Sequence, residues 1–343
     1  MLDSKKIGRF IANKRRELGL TQQQVANALH VSYQAVSKWE QGSTYPNVEL
    51  LLELSNVLQV SVDTLLSANE KEEESMDEVY EFYSGGAELG RLERGLGRIE
   101  FERSKELIMR HLPQKKCIIY DIGGGIGVYS AWLAKMGHEV HLLDFVKESI
   151  GYAKHHYKNQ FIAEVCDARC LNRMDNSADV VLLMGPLYHL QNQTERKRVL
   201  EEAKRVLKKD GVLIVTGISK FSSTTWALST YGKENNYLDD EVYREMIDRE
   251  LKTGVHIRPE QYPYLISQSY FHTVKGLRDE MKGAGINVLH QYPIEGIIWF
   301  TPELNQKWED DKSQKILLDI IRKTETEEST IGMSPHFMIV GKK

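Results

Sequence analysis

Hydrophobic and polar positions follow two different periods along this chain. In residues 4–67, apolar side chains recur every three or four positions, as in "SKKIGRFIANKRRELG", which is the spacing of one face of an α-helix. Gly19 and Gly42 follow such segments, and Thr21 and Ser32 precede them as helix caps. The pattern predicts five short helices in this region.

From Cys117 onward, short apolar runs alternate with helical segments. The predicted strands are "CIIYDIG", "HEVHLLDF", "FIAEVCDA", "ADVVLLMG" and "GVLIVTGIS", and helices such as "GVYSAWLAKMG" and "TERKRVLEEAKRVLKKDG" lie between them. Because this alternation is typical of βαβ units, it predicts a parallel sheet covered by helices on both sides. Ligands of such sheets bind at the carboxyl ends of the strands.

Residues 68–78, "ANEKEEESMDE", separate the two patterns. They contain six acidic residues and one lysine, without an aromatic side chain or an apolar period. We therefore expect a solvated acidic linker between two domains, residues 1–67 and 79–343.

The composition is that of a globular protein, with 41% hydrophobic residues, 27% charged residues and a net charge of −4. No apolar run approaches the ~18 residues of a membrane span, and the first residues lack the apolar region of a signal peptide. We therefore expect a cytoplasmic protein with no membrane partner. Residues 1–67 carry seven basic and six acidic side chains, a net charge of +1. With so little positive charge, binding to DNA would need a homodimer on two half-sites.

Two of the predicted helices, "TQQQVANALH" and "SYQAVSKWEQG", are joined by a tight turn. Together with "YPNVELLLELSNVLQVSVDTLL", they resemble the Cro/C1-type, or XRE, family of helix-turn-helix repressors over residues 5–67. The resemblance implies that the second helix of the motif enters the major groove of DNA. The DNA-binding residues that it implies are Gln22, Ser32, Tyr33, Gln34, Ser37 and Lys38. It also implies a structural ion pair between Arg15 and Glu40, and Trp39 is expected in the core. A helical bundle that binds only protein is the alternative.

The turn after the first predicted strand is Asp121-Ile-Gly123-Gly-Gly125-Ile-Gly127. A dinucleotide-binding turn needs a small third residue, as in G-x-G-x-x-G/A, but Val128 occupies that position. An acid directly before the glycines suits an ammonium group, whereas it gives nothing to a pyrophosphate. The turn therefore disfavours a nicotinamide dinucleotide, which is the alternative cofactor.

Acidic residues also end the next two predicted strands. Asp144 follows the second strand, where a carboxylate accepts ribose hydroxyls, and Asp167 follows the third, where a carboxylate accepts from an adenine amino group. An ammonium, a ribose and an adenine without a phosphate are the groups of S-adenosylmethionine. The three acids therefore predict this compound as the cofactor.

The segment from about Tyr80 to the end resembles class I S-adenosylmethionine-dependent methyltransferases. The resemblance extends to "LLMGPLYHLQNQTERKRVLEEAKRVLKKDGVLIVTGISKF" and to a final hairpin that ends in "PHFMIVGKK". It implies an α/β Rossmann-like fold with a seven-stranded sheet, preceded by the all-α helix-turn-helix bundle, and a helical lid insertion at residues 219–284. The expected cofactor-binding residues are Asp121, Gly123, Gly125, Gly127, Asp144, Phe145, Asp167, Ala168, Met184 and Arg91.

The expected methyl acceptor is a small molecule with an oxygen or nitrogen nucleophile. "GPLYHL" stands where amino-directed DNA methylases carry D/N-P-P-Y/F, and no cysteine follows a proline, so DNA is not the expected acceptor. His189 is the favoured proton acceptor and His272 the second candidate. The expected substrate contacts are Tyr83, Tyr188 and Tyr270. An aromatic lid favours a partly apolar acceptor, and we expect about two or three of its rings to touch it. The sequence shows no set of clustered acids and an amide for a divalent ion, so we expect no metal.

Two functions fit these patterns. The first is an active methyltransferase that is also a transcriptional regulator. The second is a transcription factor whose methyltransferase fold senses a ligand without turnover. Methylation of RNA or protein is a third alternative, which the weak basic character beyond the first helix disfavours.

Overall fold

The computed structural model describes residues 4–60, 62–67, 70–233 and 235–343. The chain divides into two compact units, Met1–Asp77 and Glu78–Lys343. Within the described ranges, no helix is both long enough and apolar enough to cross a membrane.

The amino-terminal unit is helical, as the hydrophobic period predicts. Its helices are α1 (Ser4–Glu17), α2 (Gln22–Ala28), α3 (Tyr33–Glu40), α4 (Val48–Val57) and α5 (Val62–Ser67). Thr21 and Gln24 form a capping box at the start of α2, in which each side chain accepts the backbone N–H of the other residue. Ser32 caps α3 by accepting the N–H of Ala35 at 3.2 Å. These caps fix the short turn that joins α2 to α3.

Helices α1 and α3 approach each other closely at Gly8. A Cβ atom at Gly8 would lie 2.2 Å from the carbonyl oxygen of Trp39, so the crossing requires glycine at this position. Trp39 is buried with Val36 in the core of the unit, as expected. The predicted ion pair is also confirmed, because Arg15 Nε lies 2.6 Å from Glu40 Oε1.

The stretch predicted as a solvated acidic linker is helical from Glu70 onward, where helix α6 (Glu70–Ser84) begins. Residues 68 and 69 lie outside the described residues. No pattern in the sequence indicates this helix, because residues 70–78 have no apolar period. Glutamate and lysine are good helix formers, and acids near a helix amino terminus are favoured by the helix dipole.

The second unit is built on one large sheet. Its strands are β1 (Ile118–Ile122), β2 (Glu139–Asp144), β3 (Ile162–Val165), β4 (Ala178–Leu183), β5 (Leu207–Ile218), β6 (Val255–His256), β7 (Ser269–Tyr270), β8 (Asn287–Pro293) and β9 (His336–Lys342). The seven-stranded sheet has the order β3-β2-β1-β4-β5-β9-β8, while β6 and β7 form a separate pair. Strands β1 to β5 run parallel, and β9 pairs antiparallel with both β5 and β8. This is the predicted Rossmann-like class I methyltransferase fold.

The helices of the second unit fill the connections between strands. They are α7 (Leu96–His111), α8 (Val128–Lys135), α9 (Lys147–Tyr157), α10 (Gln193–Val206), α11 (Ser222–Thr230), α12 (Glu241–Thr253), α13 (Val274–Gly283), α14 (Leu304–Glu309), α15 (Asp311–Thr324) and α16 (Glu328–Ile331). The central strands β1 and β4 are apolar and buried along almost their whole length. Such continuous burial is characteristic of parallel strands that are covered on both faces.

Two segments differ from the sequence prediction. Helices α14 to α16 lie within the final hairpin, between β8 and β9, and bury Trp299, Trp308 and Ile321 in a cluster of their own. Helix α13 packs on the sheet. Its Leu277 lies so close to Gly217 of β5 that a Cβ atom on this glycine would be 3.0 Å away. Residues 274–283, inside the lid predicted at residues 219–284, therefore pack on the sheet.

The aromatic side chains of the lid pack mainly on one another. The ring of Tyr237 is stacked between those of Trp226 and Tyr243, with centroid distances of 5.4 and 5.2 Å. Tyr262 contacts Tyr237 edge-on at 5.4 Å. These four rings form a small aromatic core within the segment predicted as the lid.

The close crossing at Gly8 predicts a local loss of stability in a Gly8→Ala variant. The added methyl group collides with backbone, so the two helices must move apart at a cost of about 1–3 kcal/mol. Hydrogen-exchange mass spectrometry, which follows each unit separately, should show faster exchange in α1 and α3. Gly151→Ala is the matched control, because Gly151 is an exposed helical glycine with no neighbour within 4 Å. Its exchange should stay unchanged or slow slightly. Equal protection of α1 in both variants would contradict the prediction.

Candidate functional site

Helix α3 of the amino-terminal unit has a buried side and an exposed side. Val36 and Trp39 are buried, whereas Tyr33, Gln34 and Lys38 are exposed. A helix that presents polar and aromatic side chains to solvent is suited to contact base edges in a major groove. The structure therefore places these three predicted DNA contacts on the free side of the helix.

The other predicted DNA contacts also have local structural roles. Ser32 caps α3, and Ser37 Oγ lies 3.3 Å from Gln41 Nε2. Gln22 Nε2 donates to Glu40 Oε2 at 2.6 Å, beside the ion pair of Arg15. One amide N–H of Gln22 is thus committed inside the unit, and the other is left for a phosphate.

In the second unit, residues 123–127 form a tight turn after β1, the glycine bend. Gly123, Gly125 and Gly127 have φ values of +69°, +56° and +85°, a region that side chains disfavour. A Cβ atom at Gly123 would also lie 2.4 Å from Pro186, in the segment after β4. The bend is therefore packed closely against the segment after β4, at the carboxyl edge of the sheet where ligands of such folds bind.

Asp121 lies beneath the glycine bend. Its side chain is 1% exposed and accepts a hydrogen bond from Ser130 Oγ at 2.7 Å. A Cβ atom at Gly124 would lie 2.5 Å from Asp121 Oδ2, so the backbone of the bend covers the carboxylate. Burial raises the pKa of Asp121 to about 6, although the hydrogen bond from Ser130 acts to lower it. This geometry does not favour the direct contact with an ammonium group that the sequence suggested.

Asp144 stands at the end of β2, directly beside the bend. Its Oδ2 accepts the N–H of Gly125 at 2.8 Å, and its Oδ1 accepts the N–H of Val146 at 2.8 Å. Burial raises the pKa of Asp144 to about 6, and the two backbone hydrogen bonds partly offset that effect. Each oxygen retains lone-pair capacity for a hydroxyl donor. The ring of the next residue, Phe145, lies 5.8 Å from that of Tyr80.

Asp167 follows β3 and is held by a neighbouring cation. Arg169 donates to both oxygens of Asp167 and also to Glu195. Burial alone would raise the pKa of Asp167, but Arg169 outweighs it and leaves the pKa lowered. Asp167 is therefore ionised and fixed in orientation. Ala168, the next predicted residue, is part of the same turn and is half-buried.

The favoured catalytic histidine meets a predicted substrate residue. Tyr83 Oη on α6 lies 2.7 Å from Nε2 of His189, which follows β4. Burial lowers the pKa of His189 to about 3, so the ring is neutral at physiological pH. Its Nδ1 is buried and, although it is close to the Gln268 backbone, lacks a partner with regular hydrogen-bond geometry. The adjacent Tyr188 donates to the carbonyl of Met184 at 3.0 Å.

The second candidate, His272, belongs to a different cluster. Its Nε2 lies 3.4 Å from Glu280, which also binds the buried guanidinium of Arg196. Arg196 in turn lies 3.7 Å from the ring centroid of Tyr270 and donates to the carbonyl of Leu190. The geometry favours a structural role for His272 and Tyr270, which link the lid to the segment that carries His189.

Arg91, between α6 and α7, binds the carboxylates of two glutamates. Its Nε donates to Glu88, and its Nη1 and Nη2 donate to Glu100 at 2.6 and 3.1 Å. Three of the five N–H groups of the guanidinium are used in this way, so two are left for a ligand. Glu88 and Glu100 were not recognised from the sequence, because no motif marks them.

A second buried pair lies near Glu100. His336, at the start of β9, contacts Glu295 Oε1 through Nδ1 at 2.7 Å, and Ser334 and the His336 backbone donate to Glu295 Oε2. Burial lowers the pKa of His336, but Glu295 and Glu100 outweigh it and raise the pKa to about 9. Ligand atoms of Glu100, Glu295 and His336 lie within 4.8 Å of one another, the spacing of a metal site. Arg91 and the protonated His336 already supply the positive charge there, so we interpret the group as an ion-pair cluster.

The comparisons with known proteins agree with this division of the chain. A family model described as "Helix-turn-helix" matches residues 11–65, and one described as "Methyltransferase domain" matches residues 120–215. The HTH-type transcriptional activator BcrR of Enterococcus faecalis is 51% identical over 51 residues, which are 15% of this chain and 25% of that protein. The regulator DicA of Escherichia coli is 41% identical over 64 residues, 19% of this chain and 47% of that protein. This chain thus spans a quarter to a half of the length of these two relatives.

Solved structures resemble the second unit more distantly. An S-adenosylmethionine-dependent methyltransferase of Methanosarcina mazei is 19% identical, with a TM-score of 0.46 over 69% of this chain and 96% of that one. The two family models, the sheet order and the glycine bend therefore carry the assignment. The chain contains a helix-turn-helix domain followed by a methyltransferase domain with the class I fold.

Proposed function

We propose that this chain transfers a methyl group to an oxygen or nitrogen atom of a small molecule and regulates transcription through its DNA-binding domain. The observation that carries the proposal is the contact of Tyr83 with a buried, neutral His189 at the strand edge that bears the glycine bend. Bound S-adenosylmethionine supplies a methyl group already activated by a sulfonium. The protein then has to orient the acceptor, exclude water and take up a proton.

The residues at this edge fit the cofactor. The glycine bend lies at the carboxyl edge of the sheet, where the amino-acid end would bind, and Asp144 offers acceptor capacity to the ribose hydroxyls. Asp167 is fixed in its ionised form and suits the adenine amino group, with Phe145, Ala168 and Met184 beside the ring. We assign these contacts by their positions at successive strand ends.

His189 is the residue proposed to handle the acceptor's proton. A neutral imidazole can accept a hydrogen bond from a hydroxyl or amine, and the contact with Tyr83 fixes the ring plane. Because its pKa is about 3 in the free site, His189 would hold the acceptor's proton only during methyl transfer and would then release it to water. Tyr83 and Tyr188 border the same place and are the proposed acceptor contacts.

Isotope transfer tests the enzymatic proposal. The chain is incubated with methyl-labelled S-adenosylmethionine and a small-molecule extract of cells, and labelled products are found by mass spectrometry. We expect His189→Ala to lose at least about 100-fold in labelling rate, the scale of general acid–base catalysis. It should still bind S-adenosylhomocysteine. His290→Ala, at an exposed histidine of β8, is the control and should keep full activity. Cofactor binding without a labelled product in any fraction would favour the ligand sensor.

The pKa values near the bend predict a pH dependence of cofactor affinity. Asp144 accepts ribose hydroxyls best as a carboxylate, and its raised pKa of about 6 means that it gains a proton as the pH falls through 6. Affinity for S-adenosylhomocysteine should be constant above pH 7 and about tenfold weaker at pH 5. Calorimetric titration between pH 5 and 8 measures this. Asp144→Asn should be weak throughout, with a flatter profile, and a pH-independent wild-type affinity would refute the assignment.

The exposed side chains of α3 predict which substitutions weaken DNA binding. A duplex selected in vitro with the wild-type chain serves as probe for Gln34→Ala and Lys38→Ala. Loss of a base contact costs about 1–3 kcal/mol, so each variant should bind roughly 5- to 150-fold more weakly. Lys307→Ala, on α14 of the other unit, is the control for loss of one positive charge. Similar affinities of all three variants, measured by fluorescence anisotropy at fixed salt, would argue against a reading role for α3.

A further inference from the structure

The amino-acid end of the cofactor carries an ammonium and a carboxylate on the same carbon atom. It needs an anionic partner and a cationic partner side by side. Asp121 is covered by the backbone of the glycine bend and already accepts from Ser130, so it is poorly placed to be the anionic partner. The anionic partner is therefore a different carboxylate near the bend.

Glu88 lies there. A Cβ atom at Gly125 would be only 3.4 Å from Cγ of Glu88, which places this side chain against the central glycine of the bend. The charge of Glu88 also acts on Asp144, Tyr83 and Tyr188, so the carboxylate lies near both Asp144 and the proposed acceptor contacts. Glu88 thus lies where the amino-acid end enters.

The hydrogen-bond capacity of Glu88 and Arg91 is only partly used. Glu88 accepts from Arg91 Nε at 2.9 and 3.1 Å, and its side chain is 19% exposed. Two oxygens with about four acceptor positions retain room for an ammonium donor. Arg91 keeps two N–H groups, and Glu100 holds the guanidinium in place from the other side.

We propose that Glu88 binds the α-ammonium group of the cofactor and that Arg91 binds its α-carboxylate. The pair presents a negative and a positive group in contact, which complements a zwitterion whose charges are equally close. Glu100 acts as a positioning residue for Arg91. The inference rests on the proposed function, because it assumes that S-adenosylmethionine binds at the glycine bend.

Two ligands separate the ammonium contact from binding in general. S-adenosylhomocysteine and its deaminated analogue, in which hydrogen replaces the amino group, are titrated by calorimetry into the full chain. The wild type should bind the deaminated compound about 10- to 100-fold more weakly, as expected for a lost hydrogen bond to a charged group. Glu88→Gln should lose a similar factor for S-adenosylhomocysteine and discriminate little between the two ligands. Glu93→Gln, an exposed acid of the same segment, should behave as the wild type.

The outcomes separate this inference from the proposed function. If the wild type binds neither ligand, the cofactor assignment itself fails. If Glu88→Gln weakens both ligands equally, Glu88 only supports the pocket, and the inference is overturned. Unchanged affinity of Glu88→Gln for S-adenosylhomocysteine overturns it as well. Should Glu88→Gln unfold, the wild-type comparison of the two ligands still decides, since equal affinities would exclude any ammonium partner.

Discussion

The hydrogen bonds of the Asp144 carboxylate are the interactions on which the candidate site depends. Strands β1 and β2 are parallel neighbours in register from Ile118 to Ile122, so they end at the same edge of the sheet. One oxygen of Asp144 then reaches the amide of Gly125, and the other takes the amide of Val146 at the start of α9. A single buried side chain thus joins the bend after β1 to the helix after β2. Because both oxygens are anchored, their remaining acceptor positions have fixed directions, which is what a pre-formed binding site requires.

Two buried histidines at this edge have opposite charge states because their neighbours differ. His189 and His336 are both removed from water, which disfavours the charged imidazolium in each case. For His189, burial lowers the pKa to about 3, and the positive charge of Arg91 adds a smaller effect in the same direction. Next to His336 the carboxylates of Glu295 and Glu100 outweigh burial, so the pKa rises to about 9. One ring is therefore neutral, while the other is a fixed positive charge.

The sequence was informative wherever the structure follows from local order along the chain. Helix caps at Thr21 and Ser32, the strand that ends at Asp144 and the helical period of α1 each depend on neighbours within a few residues. The residues that went unrecognised depend on long-range packing. Glu295 meets His336 across 41 positions, and no motif marks either residue.

Asp121 shows a different limit of sequence reasoning. Its position before the glycines was recognised, but the side of the bend on which its carboxylate lies depends on how tightly Gly124 packs over it. Helices α14 to α16 lie between the two strands of the predicted final hairpin, and the resemblance that implies the hairpin does not indicate them. Spacing along the sequence shows which residues are near a bend, but packing decides which of them face the ligand.

The charges around the glycine bend differ from those on the exposed side of α3. Among the described residues, the carboxylates of Asp121, Asp144, Glu88 and Glu100 lie near the glycine bend, and Arg91 is paired with Glu88 and Glu100. A phosphate backbone that approached this edge would meet a net negative potential. The exposed surface of α3 carries no such excess of acids, with Gln34 and Lys38 toward solvent. This contrast supports the proposed function, in which DNA is the ligand of the first unit and a small molecule is the acceptor at the second.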